Sequence, residues 1–508
     1  MAGTERANVA DLVRAAAVHR PDGVALVHRP ETGDRTTTTW AALDDDVEAT
    51  AVGLRTELGL RTGDRVALAM GSSPAFVTAY FAVLRAGLVA VPLNTGYTAP
   101  EVSQLLHDAD AHVVLCDDST LAVAEEVVAE SDRALVDLAG LDSVTAAGRG
   151  HRADGDGRGG EDLAVLMFTS GTSGRPRAAM LSHRALLANL DQCRRLEPAP
   201  MTEDDVVLLV LPLFHIYGLN TGLGMVAATG ATGVLVERFD PLATAAVVRD
   251  EGVTNVPGAP PMYVGWTAAD QLDALRGVRL LASGASPLPP AVQEQVRTAT
   301  GRTVHEGYGL TETAPVVSST LASPEVKPGS IGRPVPGVEV RLVDEDGSAA
   351  VDGDPGEVLV RGANLFSGYW PDGTEGPDAD GWWATGDVAY ADGDGDLFLV
   401  DRRKELVLVS GFNVYPREVE AALAVHPDVA EVAVIAVPHP YTGEAVKAYV
   451  VAREGSGLTV EAVTAHAATR LARFKRPTIV TLVPVLPHSA TGKVAKGRLR
   501  AREVEGLG

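Results

Sequence analysis

Residues 162–178 decide the interpretation of this chain: the apolar run Asp162-Leu-Ala-Val-Leu-Met-Phe168 leads directly into Thr169-Ser-Gly-Thr-Ser-Gly-Arg-Pro-Arg-Ala178. The run is typical of a strand buried on both faces, which would present the following loop from a rigid edge. Glycines let backbone N–H groups turn toward an anion, the hydroxyls add donors, and Arg177 adds a fixed positive charge. The segment therefore predicts a polyphosphate-binding loop that is not of the Walker type. An ordinary exposed turn uses the same residue types and is the alternative.

Length and composition restrict the class of protein. The 508 residues suffice for roughly two to four domains or subdomains. A net charge of −24 argues against a nucleic-acid or anionic-membrane partner, because neutralising phosphates takes Lys and Arg. Cys116 and Cys193 lie far apart without metal-ligand spacing, which indicates a reducing compartment. Since no apolar signal region or membrane-length apolar run is apparent, we expect a cytoplasmic enzyme without an integral membrane segment.

The alternation of apolar runs and helical stretches predicts the fold class. Short apolar runs at 65–70, 89–93 and 112–116 are separated by helical stretches such as Pro74–Arg85, as in parallel α/β layers. Residues 337–400 instead show short alternating runs with Gly/Asp turns. We therefore expect an α/β protein with a large N-terminal domain (1–400) of parallel α/β layers, which includes a small β-rich subdomain. A smaller α+β domain should follow at 401–508.

Five further segments complete a set of ordered motifs. They are Ser283-Gly-Ala-Ser-Pro-Leu288, Tyr308-Gly-Leu-Thr-Glu-Thr313, Trp383-Ala-Thr-Gly-Asp387, Asp401–Glu420 and Pro487-His-Ser-Ala-Thr-Gly-Lys-Val494. Together with the loop at 169–178, they resemble the motifs of the adenylate-forming (ANL) superfamily, and most closely those of its acyl-CoA synthetases of the fatty-acid–CoA ligase type. Six motifs in order over nearly the whole chain make the resemblance specific, whereas any one alone is weak.

The resemblance implies a reaction in two halves. A carboxylate attacks the α-phosphate of ATP to give an acyl-adenylate and pyrophosphate, and the thiolate of coenzyme A then displaces AMP to form a thioester. Because the first half brings negative charge against negative charge, the site must neutralise and align its reactants. The implied small-molecule substrates are ATP with Mg²⁺, a carboxylic acid and coenzyme A, while the oligomeric state stays open.

The resemblance also assigns an ATP-binding set. The loop at 169–178 would cradle the β- and γ-phosphates, Tyr308 and the backbone of 284–286 would hold adenine, and Asp387 would accept the ribose hydroxyls with Arg402 nearby. Relatives usually have Lys-Gly where this chain has Arg177-Ala178, which keeps the charge. Alone, Tyr308 could be a core aromatic and Asp387 a turn residue. The full set is Thr169, Ser170, Gly171, Thr172, Ser173, Gly174, Arg177, Gly284, Ala285, Ser286, Glu306, Gly307, Tyr308, Gly309, Thr311, Asp387, Arg402 and Lys493.

Four residues are implied to act on the reaction itself. Glu312 would bind Mg²⁺ as a hard oxygen donor, and Thr311 would donate to the α-phosphate. Lys493 would bridge the attacking carboxylate and the α-phosphate, stabilising charge in the transition state. His215 is either a gate over the acid or a packed side chain. Taken singly, Glu312 could complement a helix dipole and Lys493 could be a surface lysine, although the chain has only six lysines.

The second half reaction would use a mobile C-terminal domain. The resemblance places its hinge at Lys404, which as an isolated residue could be a solvated charge. Coenzyme A would contact Ser410, Gly411 and Phe412, where Gly411 leaves room for pantetheine. Domain alternation of this kind lets one site run two reactions in sequence.

The identity of the acid is predicted from two absences in the implied acyl site, which comprises His215, Tyr217, Gly218, Met262, Gly284 and Gly307. Amino-acid-activating relatives place an Asp near the start of 213–218, where this chain has no carboxylate. Dicarboxylate-activating relatives carry an Arg where this chain has Gly307, so a second carboxylate would be buried unpaired. We therefore expect a monocarboxylate with an apolar tail, a medium- or long-chain fatty acid ahead of an aryl acid.

Two other functions remain open at this point. The acyl group could pass to a carrier protein instead of coenzyme A. A non-catalytic nucleotide or acyl-adenylate binder is the third possibility, but it would predict loss of Lys493, Glu312 or Asp387, and all three are present.

Overall fold

A computed structural model describes most of the chain. The described residues are 7–30, 33–129, 131–152, 158–169, 176–344, 347–351, 353–402, 405, 407–409, 412–439, 443–471, 473–488 and 493–504. The helices are α1 Asp11–His19, α2 Trp40–Thr56, α3 Pro74–Arg85, α4 Ala99–Asp108, α5 Leu121–Val128, α6 Leu138–Gly148, α7 His183–Arg194, α8 Met225–Thr229, α9 Pro241–Asp250, α10 Pro260–Ala268, α11 Pro290–Thr300, α12 Pro416–Ala424, α13 Val460–Arg470 and α14 Lys496–Val504.

The strands outnumber the helices. They are β1 Val24–His28, β2 Thr36–Thr39, β3 Arg65–Ala69, β4 Val89–Pro92, β5 Ala111–Cys116, β6 Ala134–Val136, β7 Leu163–Thr169, β8 Arg177–Ser182, β9 Val206–Leu209, β10 Thr232–Leu235, β11 Asn255–Gly258, β12 Leu280–Ser283, β13 Val304–Gly309, β14 Val316–Ser319, β15 Arg333–Pro334, β16 Val338–Val343, β17 Gly356–Gly362, β18 Trp382–Ala391, β19 Leu397–Arg402, β20 Val407–Val409, β21 Phe412–Val414, β22 Val429–His439, β23 Gly443–Ala452 and β24 Ile479–Leu482. A π-helix at Tyr217–Gly224 and a 3₁₀ turn at Thr311–Thr313 also bear on the site.

The chain divides into two compact units. The large unit comprises Met1–Gly171, Arg175–Glu339 and Arg361–Trp383, and the small unit comprises Thr172–Gly174, Val340–Val360 and Ala384–Gly508.

Two sheets form the large unit. One has the order β15-β14-β13-β12-β11-β9-β10-β1-β2, and the other has the order β6-β5-β3-β4-β7-β8. Neighbours from β1 to β13 in the first sheet pair in parallel, as do β6 to β4 in the second, while β7 and β8 form an antiparallel pair. Helices connect the parallel strands, so the predicted α/β class with parallel layers is confirmed.

Local sequence explains where several of these elements begin. Helix α3 starts after Ser73, whose hydroxyl accepts from the Phe76 N–H at 3.3 Å, and Pro74 occupies its first turn. Helix α4 begins with a capping box of Thr98 and Glu101. Strands β3 and β4 are apolar and buried along nearly their whole length because helices cover both faces of a parallel sheet.

The small unit is built around a five-stranded sheet. Its order is β21-β20-β23-β22, with β24 paired to β23, and helices α12 and α13 contribute to the apolar core beside it. Most of a second sheet, in the order β16-β17-β18-β19, also belongs to this unit. These are the β-rich and α+β parts that the sequence predicted after residue 337.

Candidate active site

The hairpin β7–β8 carries the two ends of the candidate phosphate loop. Thr169 and Arg177 are paired opposite each other in this hairpin, and the Thr169 hydroxyl donates to the Arg177 carbonyl at 3.4 Å. The buried strand β7 precedes the loop as its apolar run predicted. Ser170, Gly171, Thr172, Ser173 and Gly174 lie outside the described residues.

The Arg177 guanidinium has two neighbours that spacing along the chain does not reveal. Its Nη1 donates to Glu375 Oε2 at 2.8 Å, and its Cζ lies 3.6 Å from the centroid of the Tyr369 ring. The hydrogen bond with Glu375 is the main reason that the pKa of Arg177 is raised, with a smaller contribution from Glu312. Arg177 therefore stays cationic and lies among acidic and aromatic groups.

Glu312 is buried beside this cation. Glu312 is 8% exposed, and its Oε1 accepts a hydrogen bond from the Tyr369 hydroxyl at 2.7 Å. Burial of the Tyr369 phenol and the nearby Glu312 charge raise the pKa of Tyr369, so the phenol remains a hydrogen-bond donor. Arg177, Tyr369 and Glu312 thus form one continuous cluster.

Glu312 suits a Mg²⁺ ion that substrate phosphates also bind better than a metal ion held by protein side chains alone. A carboxylate is the ligand type that Mg²⁺ prefers, and this ion is usually held by one or two carboxylates together with substrate phosphates and water. Within the described ranges there is no group of three or more His, Cys, Asp or Glu side chains that could hold a metal by themselves. Glu312, a single buried carboxylate beside the Arg177 cation, fits the arrangement in which substrate phosphates supply the other ligands.

Buried side-chain amides fix the backbone after Glu312. Asn189, which is 1% exposed, accepts from the Val316 N–H at 3.0 Å and donates to its carbonyl at 2.8 Å. Asn220, also 1% exposed, donates to the Ala314 carbonyl at 2.8 Å. Both amides hold the loop at 311–316 from one side.

Asn364, from the connection between β17 and β18, also holds this loop, and Gln192 of helix α7 supports Asn364. Asn364 is 0% exposed and donates through Nδ2 to the Thr313 carbonyl at 2.7 Å. Gln192 Nε2 donates to Asn364 Oδ1 at 3.2 Å. We call Asn189, Gln192, Asn220 and Asn364 the amide clamp, because their hydrogen bonds set the backbone that presents Thr311 and Glu312.

The two motifs implied to hold adenine lie at the carboxyl ends of neighbouring parallel strands, the edge where open α/β sheets bind ligands. Ser283 at the end of β12 pairs with Glu306 in β13, so the segment 284–286 and Tyr308 come from adjacent strands. Tyr308 is 8% exposed. Gly309 allows a close approach, since a Cβ there would collide with the carbonyl oxygen of Pro315.

Glu306 ties these two motifs together. Its Oε2 accepts from the Leu288 N–H at 2.9 Å, which connects β13 to the loop after β12. Burial raises the pKa of this carboxyl, and the Leu288 hydrogen bond only partly opposes that effect. Ala285, in the same loop, has a left-handed φ of 71°.

The implied acyl residues adjoin the adenine loop. A Cβ built on Gly284 would lie 3.0 Å from Tyr217 Cε1, so the Tyr217 ring rests against the Gly284 backbone. His215 Nδ1 accepts from the Tyr217 N–H at 3.2 Å, which fixes that ring nitrogen as the acceptor. Gly218 lies in the first turn of the π-helix, packed so closely that a Cβ there would collide with the Pro212 carbonyl. Met262 is 3% exposed within the apolar core.

Gly307 lies close to neighbouring backbone. A Cβ there would lie 3.2 Å from the Ser318 carbonyl, and larger side chains would have to extend beyond that point. Behind Tyr217, the Tyr263 hydroxyl donates to the Ala282 carbonyl at 2.7 Å. Tyr217, Tyr263 and Met262 thus give this region aromatic and apolar side chains, beside His215.

The small unit carries the remaining implied residues. Asp387 is 6% exposed, and its backbone lies opposite that of Arg402 in the antiparallel pair of β18 and β19. Lys493 is exposed and adjoins the β-bridge between His488 and Val494. Phe412 opens β21, while the side chains of Arg402 and Phe412 and all of Lys404, Ser410 and Gly411 lie outside the described residues.

Comparison with known proteins decides the family. The AMP-binding enzyme family matches residues 13–370, and the AMP-binding enzyme C-terminal domain matches residues 418–493. The chain belongs to the AMP-binding enzyme family. This result confirms the resemblance to the ANL superfamily and its acyl-CoA synthetases.

Several proteins are similar to this AMP-binding enzyme over nearly their full length. A long-chain-fatty-acid–CoA ligase of Bacillus subtilis (strain 168) is 33% identical over 88% of this chain and 87% of its own. A feruloyl-CoA synthase of an Amycolatopsis species is 37% identical over 92% of this chain and 94% of its own. The crystal structure of ATP-bound MatB from Rhodopseudomonas palustris has a TM-score of 0.89 and 32% identity, covering 99% of this chain and 100% of that chain.

Sequence reasoning missed Tyr369, Glu375 and the amide clamp of this AMP-binding enzyme. Glu375 follows Arg177 by 198 residues, so no local spacing links them. The stretch Gly368-Tyr-Trp370 was the one available signal, because two large aromatics after a glycine are unusual in a surface turn. In the part of the chain that is described, no helix is long and apolar enough to cross a membrane.

Proposed function

We propose that this AMP-binding enzyme is an AMP-forming acid–CoA ligase for a monocarboxylic acid with an apolar tail. A medium- or long-chain fatty acid is the first candidate substrate. The observation that carries the proposal is the contact of the Tyr217 ring with the Gly284 backbone, which joins an apolar acid site to the adenine loop. The names of the relatives above support the ligase class, since both are named for joining an acid to coenzyme A.

In the proposed adenylation step, this chain neutralises and aligns two anions. Thr169 and Arg177 bind the outer phosphates together with residues 170–174, Thr311 donates to the α-phosphate, and Glu312 holds Mg²⁺. When bound, that ion neutralises charge on the phosphates. Lys493 stabilises the charge that develops as the carboxylate attacks, which is where preorganised donors contribute most to rate.

The nucleoside end of ATP is proposed to lie on the two adjacent motifs of the parallel sheet. Tyr308 and the backbone of 284–286 take the adenine ring, for which the buried Tyr308 and the Glu306–Leu288 hydrogen bond provide support. Asp387 accepts the ribose hydroxyls with Arg402. Lys404 as hinge, the division at residue 401 and the cytoplasmic location stay predictions.

The apolar tail follows from the charges that the acid site lacks. Among the described residues at 213–218 there is no carboxylate to pair with an α-ammonium group, and Gly307 supplies no cation for a second carboxylate. Burying either charge unpaired would cost several kcal/mol, as a rough estimate. Amino acids and dicarboxylates are therefore expected to be poor substrates.

An aryl acid is the second candidate, favoured by one specific observation. Tyr217 contacts the Gly284 backbone and Tyr263 donates to the nearby Ala282 carbonyl, and aromatic rings bind a flat aromatic tail favourably by offset or edge-to-face packing. A relative named feruloyl-CoA synthase is in keeping with that candidate.

Transfer to coenzyme A is proposed through Ser410, Gly411 and Phe412, and a carrier protein is the alternative acceptor. AMP formation from Mg-ATP and palmitate, decanoate, cinnamate, acetate or malonate, with and without coenzyme A, tests the proposal. We expect coenzyme A-dependent AMP formation to peak on an uncharged-tail acid. Pyrophosphate release without stimulation of AMP formation by coenzyme A would contradict the acceptor, and a peak on malonate would contradict the acid.

A further inference from the structure

We infer that Tyr369 is a positioning residue for adenylation, because it joins the Glu312 carboxylate to the Arg177 guanidinium and keeps the two from pairing directly. The inference rests on the proposed function, since Glu312 and Arg177 are the proposed metal and phosphate ligands. Tyr369 itself belongs to none of the six motifs.

The hydroxyl of Tyr369 orients the carboxylate. It donates to Glu312 Oε1 at 2.7 Å, and hydrogen bonds from a neutral donor to an ionised oxygen are stronger than neutral ones. A hydrogen bond to one oxygen restricts rotation of the carboxylate, so it limits the directions in which the carboxylate can offer its other oxygen to a cation. The carbonyl of Glu312 is held as well, since it accepts from the Phe366 N–H at 2.9 Å.

The ring of Tyr369 supports the cation. Arg177 Cζ lies 3.6 Å from the ring centroid, a stacking distance for a planar guanidinium. A lysine ammonium is a compact point charge that cannot stack in this way. The stacking on Tyr369 is therefore a contact that the planar Arg177 makes and that a Lys at this position would not reproduce.

The backbone around Tyr369 locks the ring in place. Residues 367–370 run beside β8, the strand that carries Arg177: the Trp370 N–H donates to the Ala178 carbonyl at 2.9 Å, and the Met180 N–H donates to the Gly368 carbonyl at 3.0 Å. Phe366 adds an edge-to-face contact, with ring centroids 5.1 Å apart. Ring and cation are thus attached to the same strand pair.

Separation of the two charges is the functional consequence. Arg177 pairs with Glu375, whose side chain is 68% exposed, and not with the buried Glu312. An exposed ion pair is weak, so phosphate oxygens can replace Glu375 at little cost. A direct Arg177–Glu312 pair would instead occupy both ligands at once, whereas here each of the two groups contacts Tyr369.

Two substitutions separate the two roles of Tyr369. Tyr369→Phe keeps the ring and removes the hydrogen bond, while Tyr369→Ala removes both. We would measure Mn²⁺ binding in the presence of a non-hydrolysable ATP analogue by electron paramagnetic resonance, and ATP binding without metal by calorimetry. Tyr449→Phe is the matched control, because the Tyr449 hydroxyl also donates to a glutamate, Glu503, in the small unit.

For Tyr369→Phe we expect roughly tenfold weaker Mn²⁺ binding with metal-free ATP binding unchanged, the size of one hydrogen bond to a charged group. Tyr369→Ala should weaken both, and Tyr449→Phe neither. Wild-type Mn²⁺ binding in Tyr369→Phe would overturn the inference, as would equal losses of metal-free ATP binding in both Tyr369 variants. The variants could bind Mn²⁺ and ATP as expected while no acid supports ATP–pyrophosphate exchange by the wild-type enzyme. In that case the proposed function would fail and the inference would hold.

Discussion

Asn364→Ala tests whether the amide clamp positions the residues of the adenylation step. Asn364 is 0% exposed and links the Thr313 carbonyl, at 2.7 Å, to Gln192, at 3.2 Å. Alanine would leave the Thr313 carbonyl without this donor in the interior and would remove one of the hydrogen bonds of Gln192, which keeps the Gly337 carbonyl at 3.3 Å. Because a buried polar group left unsatisfied costs about 1–3 kcal/mol, we expect the free energy of unfolding to fall by about 2–4 kcal/mol.

The same substitution should slow adenylation more than thioester formation. The Thr313 carbonyl follows Glu312 by one residue, so a shift there moves the proposed metal ligand, and misplacement by about 1 Å can cost roughly a hundredfold in rate. We expect acid-dependent ATP–pyrophosphate exchange to fall by roughly tenfold to a hundredfold. Thioester formation from supplied acyl-adenylate should retain most of its rate.

Urea denaturation and the two half-reaction assays measure these effects, with Asn94→Ala as the matched control. Asn94 makes a solvent-exposed hydrogen bond to the Gly96 N–H at 2.9 Å, so the same truncation there should change neither stability nor exchange. The reasoning is refuted if Asn364→Ala unfolds at the wild-type urea concentration, or if it is destabilised yet exchanges pyrophosphate at the wild-type rate.

Three other predictions follow from the site. Glu306→Gln should stabilise the enzyme at neutral pH, because burial raises the pKa of Glu306 and makes its ionised form costly in the folded state, while Gln still accepts from Leu288. Since that cost disappears as the carboxyl is protonated, the gain in urea denaturation should shrink as pH falls through the raised pKa toward 4.5, and a pH-independent gain would contradict it. Lys493→Ala should abolish pyrophosphate exchange yet spare thioester formation from supplied acyl-adenylate, and Gly411→Leu should do the reverse; equal loss in both halves by both variants would contradict domain alternation. Tyr217→Ala should move the preferred acid toward longer or bulkier tails in kcat/KM over a panel, whereas an unchanged profile would remove Tyr217 from the acid site.

The parallel strands were predictable because their burial leaves a clear mark on the sequence. The apolar run at 89–93 becomes β4, Val89–Pro92, and the helical stretch Pro74–Arg85 has the bounds of α3. Covering both faces of a strand requires an apolar residue at every position, and a capped helix start is encoded by adjacent residues. Buried strands and helix starts can therefore both be predicted from residues that are neighbours along the chain.

The amide clamp was not predictable from the same signals. Asn189 and Gln192 occupy helix α7, where polar residues ordinarily indicate a solvent-facing side, yet they are 1% and 3% exposed. Their burial depends on partners in distant segments, at Val316 and Asn364. The π-helix at 217–224 is likewise invisible to a helix or strand period.

The candidate site likewise contains residues that the sequence indicated and residues that it did not. Motifs gave Arg177 and Glu312 through a family resemblance, and Tyr369, which lies outside the motifs, was left unassigned. Tyr369 reaches both only because residues 367–370 run beside β8. A contact of this kind is created by tertiary structure, so pattern and spacing along the chain cannot indicate it.

The most direct test of the central claim is the release of AMP and pyrophosphate from Mg-ATP over an acid panel, with and without coenzyme A. The proposed ligase should form AMP and pyrophosphate in equal amounts, only with an uncharged-tail acid and faster with coenzyme A. No acid-dependent pyrophosphate release from any member of the panel would contradict the ligase activity itself.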